Sequence, residues 1–124
     1  MAEPTNQLDY VQAYSEFQAQ YKIAQVSAEE VGVLVMRMAG YLMRYNLVYG
    51  EALRRFAAVK ATIINTVDTQ TGKAISATKA DTLADATPES NDYQMAKVHV
   101  TNCSEATNAL KSLQKSLQVE YNNS

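Results

Sequence analysis

Two side chains of types that often do chemistry lie near each other in the C-terminal part of the sequence. His99 is the only histidine and Cys103 the only cysteine. Apart from each other they have no histidine or cysteine at metal-ligand spacing, and a lone cysteine excludes an internal disulfide. We interpret His99 as a structural or surface residue, and Cys103 as a small core residue rather than a nucleophile. We expect no metal site and no catalytic residue.

Carboxylates and glycines carry no stronger chemical signal. Paired acids such as Glu29 with Glu30, or Asp81 with Asp85, lie where helix starts or solvated faces would place them. A phosphate-binding loop needs clustered glycines, and those of this chain are dispersed. The four glycines are Gly32, Gly40, Gly50 and Gly72. The sequence therefore predicts no enzyme and no cofactor.

Positive charge is the one chemical feature with a pattern. Arg37 and Arg44 are seven residues apart and share one face of a helix, with Tyr41 and Tyr45 beside them. Arginine and lysine can neutralise phosphates, and tyrosine can stack on unpaired bases. The candidate nucleic-acid-binding residues are Arg37, Arg44, Arg54, Arg55, Lys60, Lys73, Lys79 and Lys97.

The same charges have a second interpretation. The whole chain has 11 basic and 13 acidic residues, a formal net charge of -2. Residues 27–66 carry five bases and three acids, whereas residues 67–92 carry two bases and five acids. The arginines can therefore be solvated, or paired with acids of a neighbouring subunit, while the tyrosines lie in the core. For any single residue we place this interpretation first.

The arginines lie in the stretch VLVMRMAGYLMRYNLVYGEALRRF, residues 33–56, which is too interrupted by charge to span a membrane. Its apolar residues recur at alternating spacings of four and three, which predicts a long helix from about 28 to about 68. We call this series the seam. It consists of Val31, Val35, Met38, Leu42, Tyr45, Tyr49, Ala52, Phe56, Val59 and Ile63.

Local signals mark the ends of this helix and predict two others. Ser27 with Glu30 is typical of a capping box, and Gly72 in DTQTG indicates a stop. Tyrosines and a phenylalanine at spacings of four and three predict an N-terminal helix over about 6–25. Thr87 before Pro88 predicts the start of a helix over about 88–121.

Residues 69–87 form the connector between the second and third predicted helices. Its alanine-rich part, residues 73–86, is either a short helix or an ordered connector.

These elements predict a single all-α domain over 1–124, an elongated antiparallel helical hairpin of coiled-coil type with an additional N-terminal helix. Three helices of this kind leave apolar surface uncovered, and the eight tyrosines favour contact faces. We expect a homo-oligomeric bundle or ring. The alternative is an intramolecular antiparallel coiled coil. The interface candidates are Val35, Leu42, Tyr45, Tyr49, Phe56 and Ile63.

Residues 72–117, GKAISATKADTLADATPESNDYQMAKVHVTNCSEATNALKSLQKSL, resemble a recurrent pattern in small helical proteins of tailed phages. The layout, a connector between two long helices, is similar to phage recombination mediators of the UvsY type. The residues that carry the resemblance are Lys73, Ser76, Lys79, Ala80, Tyr93, Ala96, Lys97, Ala109, Leu110 and Leu113.

The resemblance implies a ring-forming accessory protein in the host cytoplasm that binds single-stranded DNA and assists recombination or replication. Its partners would be the DNA and a recombinase or single-strand-binding protein. The N-terminus has no basic segment followed by an apolar run, so we expect a cytoplasmic protein. The alternative is a structural or regulatory helical oligomer without a nucleic-acid role, which binds a protein partner or sequesters a small anionic ligand.

Overall fold

The computed structural model describes residues 9–23, 25–66, 68 and 70–122. Four α-helices account for most of them: α1 (Asp9–Ile23), α2 (Ala28–Ile64), α3 (Ala77–Asp85) and α4 (Pro88–Asn122). No β-strand occurs within these residues, so the all-α prediction is confirmed. None of the described helices combines the length and the apolar content that a membrane span requires.

Two helix starts follow the capping signals in the sequence. At the start of α2, the Glu30 carboxylate accepts the backbone N–H of Ser27 at 3.2 Å, and the Ser27 hydroxyl accepts the backbone N–H of Glu30 at 3.1 Å. At the start of α4, the Thr87 hydroxyl accepts the backbone N–H of Ser90 at 3.2 Å, and Pro88 is the first helical residue. Both predicted caps are confirmed, because each satisfies backbone N–H groups that no helical carbonyl can reach.

Helix α2 ends at Ile64, earlier than the predicted residue 68. The reason is a turn around Asp68, whose carboxylate accepts the backbone N–H of Gln70 at 2.9 Å and whose carbonyl accepts that of Gly72 at 2.7 Å. Aspartate competes with helix formation through such local hydrogen bonds. Gly72 has φ of 70°, a conformation that glycine adopts without steric cost, as its predicted stop role requires.

The alanine-rich connector contains a helix, α3, which resolves the two interpretations of residues 73–86 in favour of a short helix. Ser76 caps it by accepting the backbone N–H of Lys79 at 3.2 Å. Its buried side chains, Ala80 and Ala84, are small, which explains why the hydrophobic pattern gave a weak signal there. The predicted N-terminal helix begins within the described residues at Asp9, and residues 6–8 lie outside them.

The chain groups into two compact units, residues 1–44 with 101–124 (unit 1) and residues 45–100 (unit 2). Helices α2 and α4 each contribute to both units, α1 belongs to unit 1 and α3 to unit 2. The single domain over 1–124 stays a prediction.

Unit 1 has a core contributed by α1, α2 and α4. The Cys103 thiol on α4 donates to the carbonyl of Met38 on α2 at 3.8 Å, and further along Gly32 lies against Gln114. Residue numbers rise on one helix as they fall on the other, so α2 and α4 run antiparallel in this unit. The buried apolar side chains are Tyr10, Ala13, Val26, Val31, Met38, Cys103 and Leu110.

Unit 2 has small buried residues and a stack of aromatic rings. Tyr93 on α4 lies between Tyr49 and Phe56 of α2, with ring centroids 5.6 Å and 5.3 Å away. Helices α2 and α4 are antiparallel here too, since Tyr45 meets His99 while Phe56 meets Tyr93. The buried residues are Ala52, Ala80, Ala84, Ser90 and Ala96. Within each unit the arrangement is the antiparallel hairpin that the sequence predicts.

Candidate functional site

The seam of α2 is the face that packs within the chain. Val31, Met38 and Ala52 are buried, and the other seam residues are half-buried. Tyr45, Tyr49 and Phe56 contact rings of α4 in the same chain. The seam thus packs against α4 of the same chain, as in the intramolecular antiparallel coiled coil that the sequence left open as an alternative. The assignment of the six interface candidates to a contact between copies stays a prediction; they are Val35, Leu42, Tyr45, Tyr49, Phe56 and Ile63.

The eight candidate nucleic-acid-binding residues divide between the units. Arg37 and Arg44 belong to unit 1, and the other six belong to unit 2. All are exposed except Lys60, which is partly covered. The six in unit 2 are Arg54, Arg55, Lys60, Lys73, Lys79 and Lys97. Their role in binding nucleic acid stays a prediction.

Four of these cations form ion pairs with acids of the same chain. Arg44 pairs with Asp9, and Arg55 lies 3.8 Å from Glu51 one helical turn away. The other two, Lys60 and Lys79, each lie 3.1 Å from an aspartate oxygen, of Asp81 and Asp68 respectively. Exposed pairs of this kind contribute little to stability, but they reduce the positive potential that a phosphate would meet.

Arg37, Tyr41 and Arg44 form an arginine–tyrosine cluster on α2 in unit 1. The Arg37 side chain donates to the Tyr41 hydroxyl at 2.7 Å. Both guanidinium groups lie over the Tyr41 ring, 5.6 Å and 5.5 Å from its centroid, within cation–π range. Tyr41 therefore holds two arginines on one face of the helix, as their spacing predicts.

Two clefts of unit 1 contain acidic side chains. A cleft of about 380 Å³ between α1 and α2 contains Glu16 and Glu30 together with Arg37. A second cleft contains Glu29 and Glu120 near the start of α2. An anionic ligand would meet negative charge in both places, and neither cleft contains a histidine or cysteine that could act as a base or a nucleophile.

Cys103 and His99 occupy packed positions. Cys103 is fully buried, and burial raises the pKa of its thiol, which disfavours the reactive thiolate. His99 is half-buried with its ring 6.2 Å from that of Tyr45. Within the described ranges, no group of three or more histidine, cysteine or acidic side chains could hold a metal ion.

A second row of residues on α2, which sequence analysis missed, faces solvent. We call it the outer stripe. Its four apolar side chains are between 64% and 76% exposed. Both of its glycines are exposed, and a methyl group built on either would meet no described atom within 4 Å apart from the adjacent residues and the surrounding helix backbone. The outer stripe consists of Val33, Met36, Gly40, Met43, Leu47 and Gly50.

The outer stripe has a signal in the sequence. Its members recur at spacings of three and four and lie two positions before the corresponding seam residues from Val35 to Ala52. Two of its six positions are glycine, which carries no hydrophobic signal, so the seam with its larger side chains dominates the pattern. Only the packing of α1 and α4 distinguishes the covered row from the exposed one.

Comparison with known proteins finds no matching protein-family model, curated sequence or solved structure. The resemblance to UvsY-type mediators stays a prediction.

Proposed function

We propose that this protein is a non-enzymatic helical assembly protein that acts by binding protein chains, beginning with copies of itself. The observation that carries the proposal is the outer stripe of α2. Single exposed apolar residues are ordinary on protein surfaces, but a continuous row along one helix is typical of an interaction face. Of the two functions that the sequence leaves open, this is the structural or regulatory oligomer.

The distribution of charge supports a protein partner over nucleic acid. Half of the candidate cations are already paired with the chain's own acids, and the chain is acidic overall. Backbone binding to nucleic acid requires several unpaired cations on one surface. In the two clefts near the start of α2, acidic side chains also disfavour the small anionic ligand that the sequence allowed.

Sedimentation or light scattering across the micromolar range tests self-association. We expect the unaltered chain to form a discrete oligomer, and the double variant Met36→Gln with Met43→Gln to be monomeric because glutamine cannot replace the apolar contacts. Met95→Gln is the matched control, since Met95 is an exposed methionine on α4. An unaltered chain that stays monomeric throughout would contradict the proposal.

A second candidate is the single-stranded DNA accessory protein that the resemblance to UvsY-type mediators implies. The arginine–tyrosine cluster favours it, because two guanidinium groups beside one ring can bind phosphate while the ring stacks on a base. A recombinase or single-strand-binding protein would then be a further partner.

Fluorescence anisotropy with a labelled oligonucleotide tests this candidate. Replacing Arg37 with Gln should weaken binding and lower the salt slope by about 0.7, the value expected for one lost phosphate contact on a single strand. Replacing Arg54 and Arg55 with Gln should weaken binding further. Lys111→Gln with Lys115→Gln removes two charges from α4 outside the candidate set and is the control. Binding that is equal in all variants would discard the nucleic-acid assignment.

A further inference from the structure

The outer stripe has the spacing of a two-stranded coiled coil. From Val33 to Gly50 its members are separated by three, four, three, four and three residues. This is the alternation of the a and d positions of a heptad, with Val33, Gly40 and Leu47 at a. The seven-residue repeat keeps one face of a helix against one other helix. The surface therefore fits a helix with a similar repeat.

The stripe fits a second copy of itself in the antiparallel direction. With a two-fold axis between Tyr41 and Leu42, every a position of one helix lies opposite a d position of the other. Met36 then lies opposite Leu47, and Gly40 opposite Met43, while Val33 and Gly50 form the outermost apolar layer. Such a contact is isologous and closes as a dimer.

Side-chain size favours this direction over the parallel one. Gly40 and Gly50 leave open space on the surface of α2. In the antiparallel pair Met43 and Val33 of the second copy fill these two spaces, as knobs fill holes. In a parallel pair Gly40 would face Gly40, leaving a void, while Met43 faced Met43.

Charge complementarity at the two ends of the stripe also favours the antiparallel direction. Continuing the heptad outward places Glu29 at the next d position and Arg54 at the next a position, and both side chains are exposed. The antiparallel pair brings Glu29 of each copy opposite Arg54 of the other. A parallel pair would bring glutamate against glutamate and arginine against arginine, which is unfavourable.

In each facing pair of like flanking charges, one charge is already paired within its own copy. Arg37 would lie near Arg44 of the second copy, but Arg44 is already paired with Asp9. On the same side Glu30 would lie near Glu51 of the second copy, and Glu51 is paired with Arg55. The ion pairs within each chain therefore reduce the repulsion between these like charges.

We propose that a second copy of this chain docks on the outer stripe, with the two α2 helices antiparallel about an axis between Tyr41 and Leu42. The proposal rests on the proposed self-association and adds its surface, direction and register. The surface is distinct from the seam, which is covered within each chain.

Disulfide trapping tests the register. Two variants, Met36→Cys and Leu47→Cys, are made on a Cys103→Ala background, mixed, equilibrated and oxidised gently. We expect the mixed disulfide between the two variants to dominate and each variant alone to cross-link poorly. Met36→Cys mixed with Met95→Cys is the control and should not form a mixed disulfide efficiently.

Charge exchange tests the direction. In the antiparallel pair Glu29→Arg and Arg54→Glu each create a like-charge contact at both ends, and each should weaken self-association about tenfold. The double variant restores an opposite pair and should regain most of the affinity. Helix content by circular dichroism shows whether each variant is folded.

Gly40→Ala tests the hole opposite Met43. Alanine is the better helix former, so the isolated chain should become more resistant to denaturant. The added methyl group should weaken self-association about tenfold, because it occupies the space that Met43 of the second copy needs. Opposite effects on folding and on assembly support the proposal.

The outcomes separate the register from the proposed function. A discrete oligomer without the mixed disulfide, without rescue by the double charge exchange, and with assembly unaffected by Gly40→Ala would overturn the antiparallel pairing and leave self-assembly standing. Mutual cross-linking of Met36→Cys with itself would indicate the parallel direction and also overturn it. A chain that stays monomeric at every concentration, or that assembles only when an oligonucleotide is added, would overturn both the pairing and the proposed function.

Discussion

Tyr93 holds helices α2 and α4 together in unit 2 through contacts with two other rings. It stacks on Tyr49 at an interplanar angle of 22° and on Phe56 at 10°. Each aromatic pair contributes about 0.5 to 1.5 kcal/mol beyond the area it buries. We expect Tyr93→Leu to lower the free energy of unfolding by about 1 to 3 kcal/mol, the loss of both pairs. Urea denaturation followed by circular dichroism measures this.

A neighbouring position on α4 provides the control. Met95 is an exposed residue two positions further along, and Met95→Leu should change the free energy of unfolding by less than about 0.5 kcal/mol. Tyr49→Phe separates stacking from hydrogen bonding, because it keeps the ring and removes the hydroxyl whose hydrogen bond with Tyr93 raises the pKa of Tyr49. Equal stability of the Tyr93→Leu variant and the unaltered chain would contradict the assignment.

The Asp68 carboxylate gives the turn after α2 a dependence on pH. The backbone N–H of Gln70 and then the ammonium of Lys79 lower the pKa of Asp68 from its usual value of 3.8, because both bind the charged form. A folded-state pKa below the unfolded one means that the stabilisation is present above the unfolded pKa and is lost as pH falls through the folded pKa. We expect Asp68→Asn to remove this part of the acid destabilisation.

Urea midpoints measured from neutral pH to about pH 3 test this expectation. The urea midpoint of the Asp68→Asn variant should fall less steeply with decreasing pH than that of the unaltered chain, and only at the acidic end of the range. Asp92→Asn, at an exposed aspartate on α4, is the matched control. A control that flattens the acidic end as much as Asp68→Asn would refute the assignment.

At the scale of the elements, the start of α2 depends on the reciprocal pair of Ser27 and Glu30. Ser27→Ala removes the acceptor for one of the unpaired N–H groups of the first turn. We expect it to cost about 1 kcal/mol of folding free energy, with helix content reduced by local fraying. Ser112→Ala, at an exposed interior position of α4, should be neutral or slightly stabilising because alanine is the better helix former. Equal effects of the two substitutions, measured by thermal denaturation, would argue against the cap.

The helix boundaries show how far local chemistry determines the elements. The starts of α2 and α4 follow from Ser27, Glu30, Thr87 and Pro88, because a cap needs only residues within one turn of each other. The end of α2 was predicted too late, since the Asp68 turn satisfies backbone groups that the heptad pattern had assigned to the helix. The sequence did not decide between a helix and an ordered connector at α3, because alanine gives little hydrophobic contrast between the buried and the exposed positions.

At the scale of the whole molecule, the proposed assembly makes stability depend on protein concentration. Association that occurs only in the folded state stabilises it by mass action. We expect the melting temperature of the unaltered chain to rise with concentration, and that of the Met36→Gln, Met43→Gln double variant to be constant. Scanning calorimetry over a hundredfold range of protein concentration measures this. Mass action over such a range stabilises the folded state by about 2.7 kcal/mol. Identical concentration dependence in both proteins would place assembly elsewhere on the surface.

The sequence by itself determined the helices α1, α2 and α4 and the residues that begin α2 and α4. Periodicity and capping act over one or two turns, so residues close in the chain carry enough information to fix these features. It also identified the seam as a packing face, since the seam has no glycine and is the more apolar of the two rows.

Only the tertiary structure decided which neighbours cover that face and which row stays exposed. The seam and the outer stripe share the same spacing on α2, and both are apolar enough to pack. The contacts that separate them come from two other helices, α1 and α4, and α4 begins 24 residues after α2 ends. Their packing against the seam leaves Met36, Met43 and Leu47 in solvent. Whether a side chain is buried depends on which elements contact it in the folded chain. A local sequence pattern indicates only which faces of a helix are apolar.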